Sequence, residues 1–187
     1  KPKFPFVYLL LVGLIGTGIS IFYVSCMNTP ENKGHKNTKI NTMTAEQILG
    51  NSEYLACSYG GYRKMSRDTQ PTIQELKNDM KILSAMDIKV IRTYNTKLKQ
   101  ATNLLQAIHE LKQENPTFEM YVMLGAWIDC QNAWTDQTPN HDEESLEANA
   151  AEIERAVNLA NKYPDIVKII AVGNEAMVKW ATSYFVQ

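Results

Sequence analysis

Cysteine is scarce, with three in 187 residues. Once Cys26 is set apart in an N-terminal feature, Cys57 and Cys130 do not make a disulfide framework and read as small buried residues or unpaired loop thiols. Histidine is equally rare: His35 stands in a polar stretch, His109 in a helical pattern and His141 beside Asp142, Glu143 and Glu144. None has a second ligand at metal spacing, so no metal site and no cofactor are expected. An excess of charge is missing too. A formal net charge of -1 with no dense Lys/Arg block gives a phosphate backbone nothing to bind, which excludes nucleic acid as a partner. No G-x-G-x-x-G turn follows the first apolar strand, where a nucleotide-binding sheet requires one. The mean hydropathy of -0.30 excludes a polytopic membrane protein. With 44% hydrophobic and 21% charged residues, disorder of the whole chain is excluded as well.

One long hydrophobic run is present. From Phe4 to Ser25 the chain carries no charge, with Lys1 and Lys3 ahead of it, and about 20 apolar residues cross a hydrocarbon core as a helix. Val24-Ser25-Cys26 places a small residue before a cysteine at the end of the run, which resembles a bacterial lipoprotein processing site with Cys26 as the lipidated residue. An uncleaved signal anchor and a buried core helix are the other readings. Both membrane readings export the remainder to the cell envelope, anchored on its periplasmic or extracellular face. Residues 1–26 are then a signal, lipoprotein or anchor segment, and 27–43 a flexible polar tether with a reach of about 20–25 Å. Residues 44–187 form one domain.

Within that domain helix and strand patterns alternate. Thr44-x-x-Gln47 and Thr72-x-x-Glu75 are capping boxes that open helices. Ile73, Leu76, Met80, Leu83 and Met86 form one helical stripe, Leu104, Leu105, Ile108 and Leu111 a second, and Leu146, Ile153, Val157 and Ala160 a third. Between them run apolar strands over 54–59, 88–94, 119–127 and 166–172. The acidic run Asp142–Glu144 reads as a helix N-terminus favoured by the macrodipole. Strands apolar on both faces imply an α/β fold with a parallel sheet, either doubly wound or a (β/α)₈ TIM barrel. The missing glycine turn argues for the barrel. A complete barrel needs about 250 residues, so the chain carries the first four βα units.

Polar and aromatic residues gather at the strand C-termini, the rim where barrels place their chemistry. Tyr59 follows the first strand, Arg92, Tyr94 and Asn95 the second, Trp127 and Asp129 the third, and Asn174 and Glu175 the fourth. The sharpest signal is Ala171-Val-Gly-Asn-Glu175, a buried strand that delivers an Asn–Glu pair. Glycoside hydrolysis needs one carboxyl to protonate the leaving oxygen and a second to attack or to activate water. Glu175 suits the first role, and Asn174 can donate a hydrogen bond to a sugar 2-hydroxyl. Aromatic faces such as Tyr59, Tyr94 and Trp127 suit sugar contact or core packing. Arg92 suits sugar contact or an ion pair with Glu175 or Asp129.

Ser58-Tyr-Gly-Gly61, Ile88-Lys-Val-Ile-Arg-Thr-Tyr94 and Ile170-Ala-Val-Gly-Asn-Glu175 together resemble glycoside hydrolase family 17, the β-1,3-glucanases, in its bacterial form. The resemblance runs from about Glu53 to the end of the chain. It implies a (β/α)₈ barrel, retaining hydrolysis of β-1,3-glucan of the glucan β-1,3-glucosidase type, Glu175 as acid/base and Tyr94 as an active-site tyrosine. Asn95 stands where many plant members have Asp. The family's nucleophile is a Glu in the second half of its barrel, outside these residues, so the chain alone is expected to be inactive. A transglycosylase on the same fold and a non-catalytic surface glucan-binding protein are the alternatives. Lipidation carries its own prediction. Cys26→Ser should release the protein from membranes or leave it as an unprocessed precursor, whereas a signal anchor would be indifferent; membrane partition and apparent size distinguish the two.

Overall fold

The structure is a computed structural model that describes residues 12–14, 19–21 and 43–187. It divides into Lys1–Ile40 and Asn41–Gln187. In the first unit, β1 (Val12–Leu14) and β2 (Ile19–Ile21) pair antiparallel with Val12 opposite Ile21. The helix expected over Phe4–Ser25 is thus not what these six residues form. Val12, Ile19 and Ile21 are β-branched, and the glycines between and beside them lower helix propensity. The remainder of the expected span, Cys26 and the tether through residue 42 lie outside the described residues. Among the described residues no helix is long and apolar enough to cross a membrane.

The second unit opens with α1 (Ala45–Ile48), whose N-cap Thr44 and Gln47 satisfy each other's backbone N–H groups. Then follow β3 (Leu55–Ser58), α2 (Ile73–Ala85), β4 (Ile88–Arg92), α3 (Lys99–Glu114) and β5 (Tyr121–Ala126). A short antiparallel ladder of β6 (Cys130–Gln131) and β7 (Asn140–Glu144) precedes α4 (Leu146–Lys162) and β8 (Val167–Val172). The expected capping box at Thr72 and Glu75 starts α2. Asp142–Glu144 are corrected by the structure. They lie in β7 rather than in a helix first turn, because Cys130 and Gln131 capture this segment as a partner strand before Ser145 begins α4.

β3, β4, β5 and β8 form one parallel sheet in that order, each strand beside its chain neighbour. Parallel crossovers share one hand, so sequential order sends every helix to the same face. The packing agrees. Leu76 and Met80 of α2, Leu104, Leu105 and Ile108 of α3, and Ala156 of α4 share one cluster with Ile91, Val122, Leu124 and Ala126 of the sheet. The strand period of two then puts Ser58, Arg92, Met123, Gly125 and Ala171 on the opposite face, and no helix of this cluster covers them. At its lower end that face meets α1, where Ile48 packs with Val90 and Tyr121. Between α2 and α3, buried Lys77 bridges to Glu110 at 3.2 Å and to Glu114.

The stripe expected for α4 holds at Ile153 and Ala160, which pack against the core cluster, and fails at Leu146 and Val157. Leu146 is 70% and Val157 45% exposed, while Asn149, Glu152 and Ala156 are buried. The first half of this helix packs on polar loop ends rather than on apolar strands, so its inward residues are hydrogen-bonding ones.

Gly125 marks the tightest approach on the open face. A Cβ there would lie 2.4 Å from the carbonyl oxygen of Thr93 and 2.6 Å from Tyr94 backbone atoms, and the Gly125 N–H donates to the buried Thr93 hydroxyl at 3.0 Å. These are all backbone atoms, so no flexible side chain is there to yield. Gly125→Ala is therefore expected to cost about 1–3 kcal/mol or more, read as a lower urea midpoint at unchanged slope.

Candidate active site

The strands deliver their last residues to one end of the sheet. β8 exits through Gly173 at φ 76° and Glu175 at φ 53°. For a residue other than glycine this left-handed conformation is uncommon, and it turns the chain sharply just where the carboxylate emerges. Glu175 is exposed, and its Oε2 accepts a hydrogen bond from the Tyr184 hydroxyl at 3.3 Å. Burial first, and then the charge and hydrogen bond of Glu175, push the Tyr184 phenol above its ordinary range, with the Asn174 amide acting in the opposite sense. The phenol therefore stays a proton-bearing donor through neutral pH. Tyr184 carried no local signal in the sequence, since it follows β8 in an irregular stretch and meets Glu175 only because that stretch folds back. The Val186 N–H to Ala176 carbonyl hydrogen bond and the Gln187 N–H to His141 carbonyl hydrogen bond, at 2.6 and 2.7 Å, hold it there.

Arg92 projects from the end of β4 on the open face. Its Nη2 donates to Asn174 Oδ1 at 3.0 Å, and its guanidinium carbon lies 5.0 Å from the Tyr94 ring centroid. Among the described residues it makes no ion pair with Glu175 or Asp129, the two acids considered for it; the amide and the aromatic face take their place. A guanidinium only donates, so Asn174 must turn its oxygen toward Arg92, which leaves its NH₂ directed elsewhere. Arg92, Tyr94 and Asn174 thus come together through these contacts, and Glu175 follows Asn174 in the chain.

Tyr59 goes elsewhere. It packs against the core on the helix side, and its hydroxyl donates to Asp79 of α2, which Arg63 also binds at 2.8 Å. Burial and the Asp79 carboxylate raise the Tyr59 phenol far above its usual range. Trp127 has neighbours of its own. Its ring centroid lies 4.9 Å from that of Tyr184, and its indole N–H donates to Asp129 Oδ1 at 2.5 Å. Trp134 donates to the same oxygen at 3.0 Å and stacks on Tyr184 at 5.3 Å, so two indoles share one carboxylate oxygen and both pack on the Tyr184 ring. Cys57 and Cys130 are both free, and burial raises both thiols.

Two α4 residues position this rim. Asn149 accepts the Asp129 N–H and donates to the Asp129 carbonyl, both at 2.9 Å. Glu152, 3% exposed, accepts the backbone N–H groups of Thr96 at 2.5 Å and Trp127 at 3.2 Å on one oxygen and Arg155 at 2.6 Å on the other. Beside them a cavity of about 610 Å³ opens between the loops after β4 and β5, with Trp127, Trp134, Asp129 and Asn95 in its wall.

The C-terminal end of the parallel sheet thus carries Glu175, the Asn174 amide with its orientation set by Arg92, and an aromatic cluster joined to Asp129. The chain is similar to the endo-laminarinase from Formosa Hel1_33_131, whose crystal structure it matches with a TM-score of 0.76 and 70% sequence identity, over 78% of this chain and 37% of that chain. The chain therefore spans little more than a third of that protein's length. No protein-family model and no curated protein matches the chain.

The Glu152 contacts give a direct test. Glu152→Ala strips an acceptor from two backbone N–H groups and leaves Arg155 without its partner. Each orphaned buried group costs about 1–3 kcal/mol, so a loss of about 3 kcal/mol or more is expected in chemical denaturation. A blue or red shift of native tryptophan emission should accompany it as Trp127 loses its anchor.

Proposed function

We propose that this chain is part of an exported, membrane-tethered endo-acting glycoside hydrolase of the β-1,3-glucanase family, glycoside hydrolase family 17, which cleaves β-1,3-glucan with retention of configuration. The observation that carries the reading is the Asn174–Glu175 pair at the end of β8, fixed by Arg92 and Tyr184, in a chain 70% identical to an endo-laminarinase over the matched region. That protein's endo action favours internal cleavage over a glucosidase type. The sequential strand order and the one-sided helical cover favour a (β/α)₈ barrel with the four βα units described here as its first four. Cys26 is the proposed lipid attachment point.

In this mechanism Glu175 donates its proton to the glycosidic oxygen as the bond to the anomeric carbon breaks. A second carboxylate attacks that carbon from the opposite face, about 5–5.5 Å from the first in retaining enzymes. Glu175, now ionised, takes a proton from the water that releases the sugar. Asn174 offers its NH₂ to the 2-hydroxyl oxygen, a contact that strengthens as the ring gains charge. Tyr184 holds the carboxyl in place through the departing and returning proton. Tyr94, under the Arg92 guanidinium, lines the sugar's path. The nucleophile is assigned beyond Gln187.

Glu175→Gln in the full-length protein keeps a nearly isosteric side chain that cannot act as the acid. General acid catalysis is worth about 10²–10⁴-fold, and reducing-end release from laminarin should fall by that factor while thermal unfolding stays cooperative. Undiminished turnover on unactivated glucan would remove Glu175 from the mechanism.

A further inference from the structure

The cavity of about 610 Å³ beside Trp127 lies beyond the aromatic cluster from Glu175, and Arg92, Asn174 and Glu175 do not line it. Its size falls within the usual range for small-ligand sites. We propose that it is a second saccharide-binding site, which takes a neutral pyranose unit of a β-glucan chain away from the bond being cleaved. The choice of β-glucan rests on the function proposed above; the pyranose chemistry rests on the cavity itself.

Trp134 is the first observation. It is 63% exposed and sits at φ 61°, a left-handed conformation that a bulky residue rarely adopts. Its ring is nonetheless fixed, by the stack on Tyr184 with an interplanar angle of 24° and by the indole hydrogen bond to Asp129. A large aromatic surface held rigid and left open to solvent is a platform, and the apolar C–H face of a pyranose ring is a matching surface for it.

The polar groups are the second. A pyranose presents hydroxyls that each donate and accept, so its site needs both kinds of partner in one wall. Both indole contacts to Asp129 fall on Oδ1, leaving Oδ2 as an acceptor. Asn95 commits its oxygen to the Leu98 N–H at 3.1 Å, leaving its amide as a donor, and Arg67 and Lys97 add donors at the edge. Arg155 and Glu152, which also line the cavity, neutralise each other at 2.6 Å. Asp129 offsets one of the two remaining cations. One positive charge remains, from Arg67 or Lys97, while the Asp129 carboxylate lies beside the platform, where it accepts a sugar hydroxyl and repels a sugar carboxylate.

The test is calorimetric titration of the full-length protein in its Glu175→Gln form with laminarihexaose, so that the ligand is not consumed. Trp134→Ala should weaken binding about tenfold, Trp134→Phe, which keeps an aromatic face, should stay within about threefold of the parent, and Asp129→Asn should fall between them. Because Trp134→Phe preserves the fold-relevant stack, a loss seen in Trp134→Ala and restored in Trp134→Phe is a loss of platform. Equal affinity in all three overturns the proposal, as does tighter binding of a glucuronic acid-bearing oligosaccharide than of laminarihexaose. Turnover is a separate arm: Trp134-dependent binding without hydrolysis by the wild type would sink the catalytic reading and leave this site standing, whereas hydrolysis with Trp134-independent binding would do the reverse.

Discussion

The buried carboxylate of Glu152 is the contact on which the rim of this protein depends. Loop backbone at the ends of two adjacent parallel strands has N–H groups that no longer reach a neighbouring strand, and burying them without an acceptor is costly. Glu152 accepts from Thr96 after β4 and from Trp127 after β5, and Asn149 one turn earlier binds both backbone groups of Asp129. Through these four contacts α4 sets the spacing of the two loops. Tyr94 and Asn95 are fixed at one end and Trp127 and Asp129 at the other, so the cavity between them and the aromatic cluster above them inherit their shape from a helix. A carboxylate is suited to the task because each oxygen has two acceptor sites: Oε1 takes two backbone donors while Oε2 holds Arg155, which compensates the buried charge.

How legible this was in the sequence varied with the range of the interactions. The sheet strands were readable because parallel strands are buried on both faces and show as unbroken apolar runs; the four runs coincide with β3, β4, β5 and β8 to within a few residues. Helix starts at Thr44 and Thr72 were readable because a capping box is a purely local bargain between side chain and backbone. The β6–β7 ladder was not, since Asn140–Glu144 is polar and becomes a strand only through a partner nine or more residues away. The inward face at the start of α4 was misread for a related reason, although Ile153 and Ala160 further on do pack on the core. Hydrophobic periodicity assumes an apolar neighbour, and Asn149 and Glu152 face loop ends that need hydrogen bonds instead.

Among the candidate site residues the same division holds. Glu175, Asn174, Arg92 and Tyr94 stand at strand ends whose register brings them together, so strand position alone was enough to associate them. Tyr59 also ends a strand, yet it alternates with Ser58 and so faces the helix side with Cys57, where its hydroxyl donates to Asp79. Tyr184 and Trp134 were invisible because both occupy irregular segments, and what gives them meaning, a shared stack and the carboxylates of Glu175 and Asp129, exists only after the chain after β8 folds back onto β6.

One-sided cover has a consequence for the chemistry. A parallel sheet ordinarily hides both faces, yet here Ser58 is exposed, Arg92 is only half-buried, and the edge residues Leu55 and Val172 are 51% and 62% exposed. In the proposed barrel, further strands would pair with β3 and β8 and close over this face. The Arg92–Asn174 and Tyr184–Glu175 contacts would then pass from solvent into a drier surrounding, where each is electrostatically stronger. Arg92 is already equipped for that transfer. It carries its charge against an amide oxygen and an aromatic face rather than a carboxylate, so closure would not bury a salt bridge. Asn174 takes the guanidinium's hydrogen bond through its oxygen, so the charge of Arg92 orients the amide and leaves its NH₂ facing away.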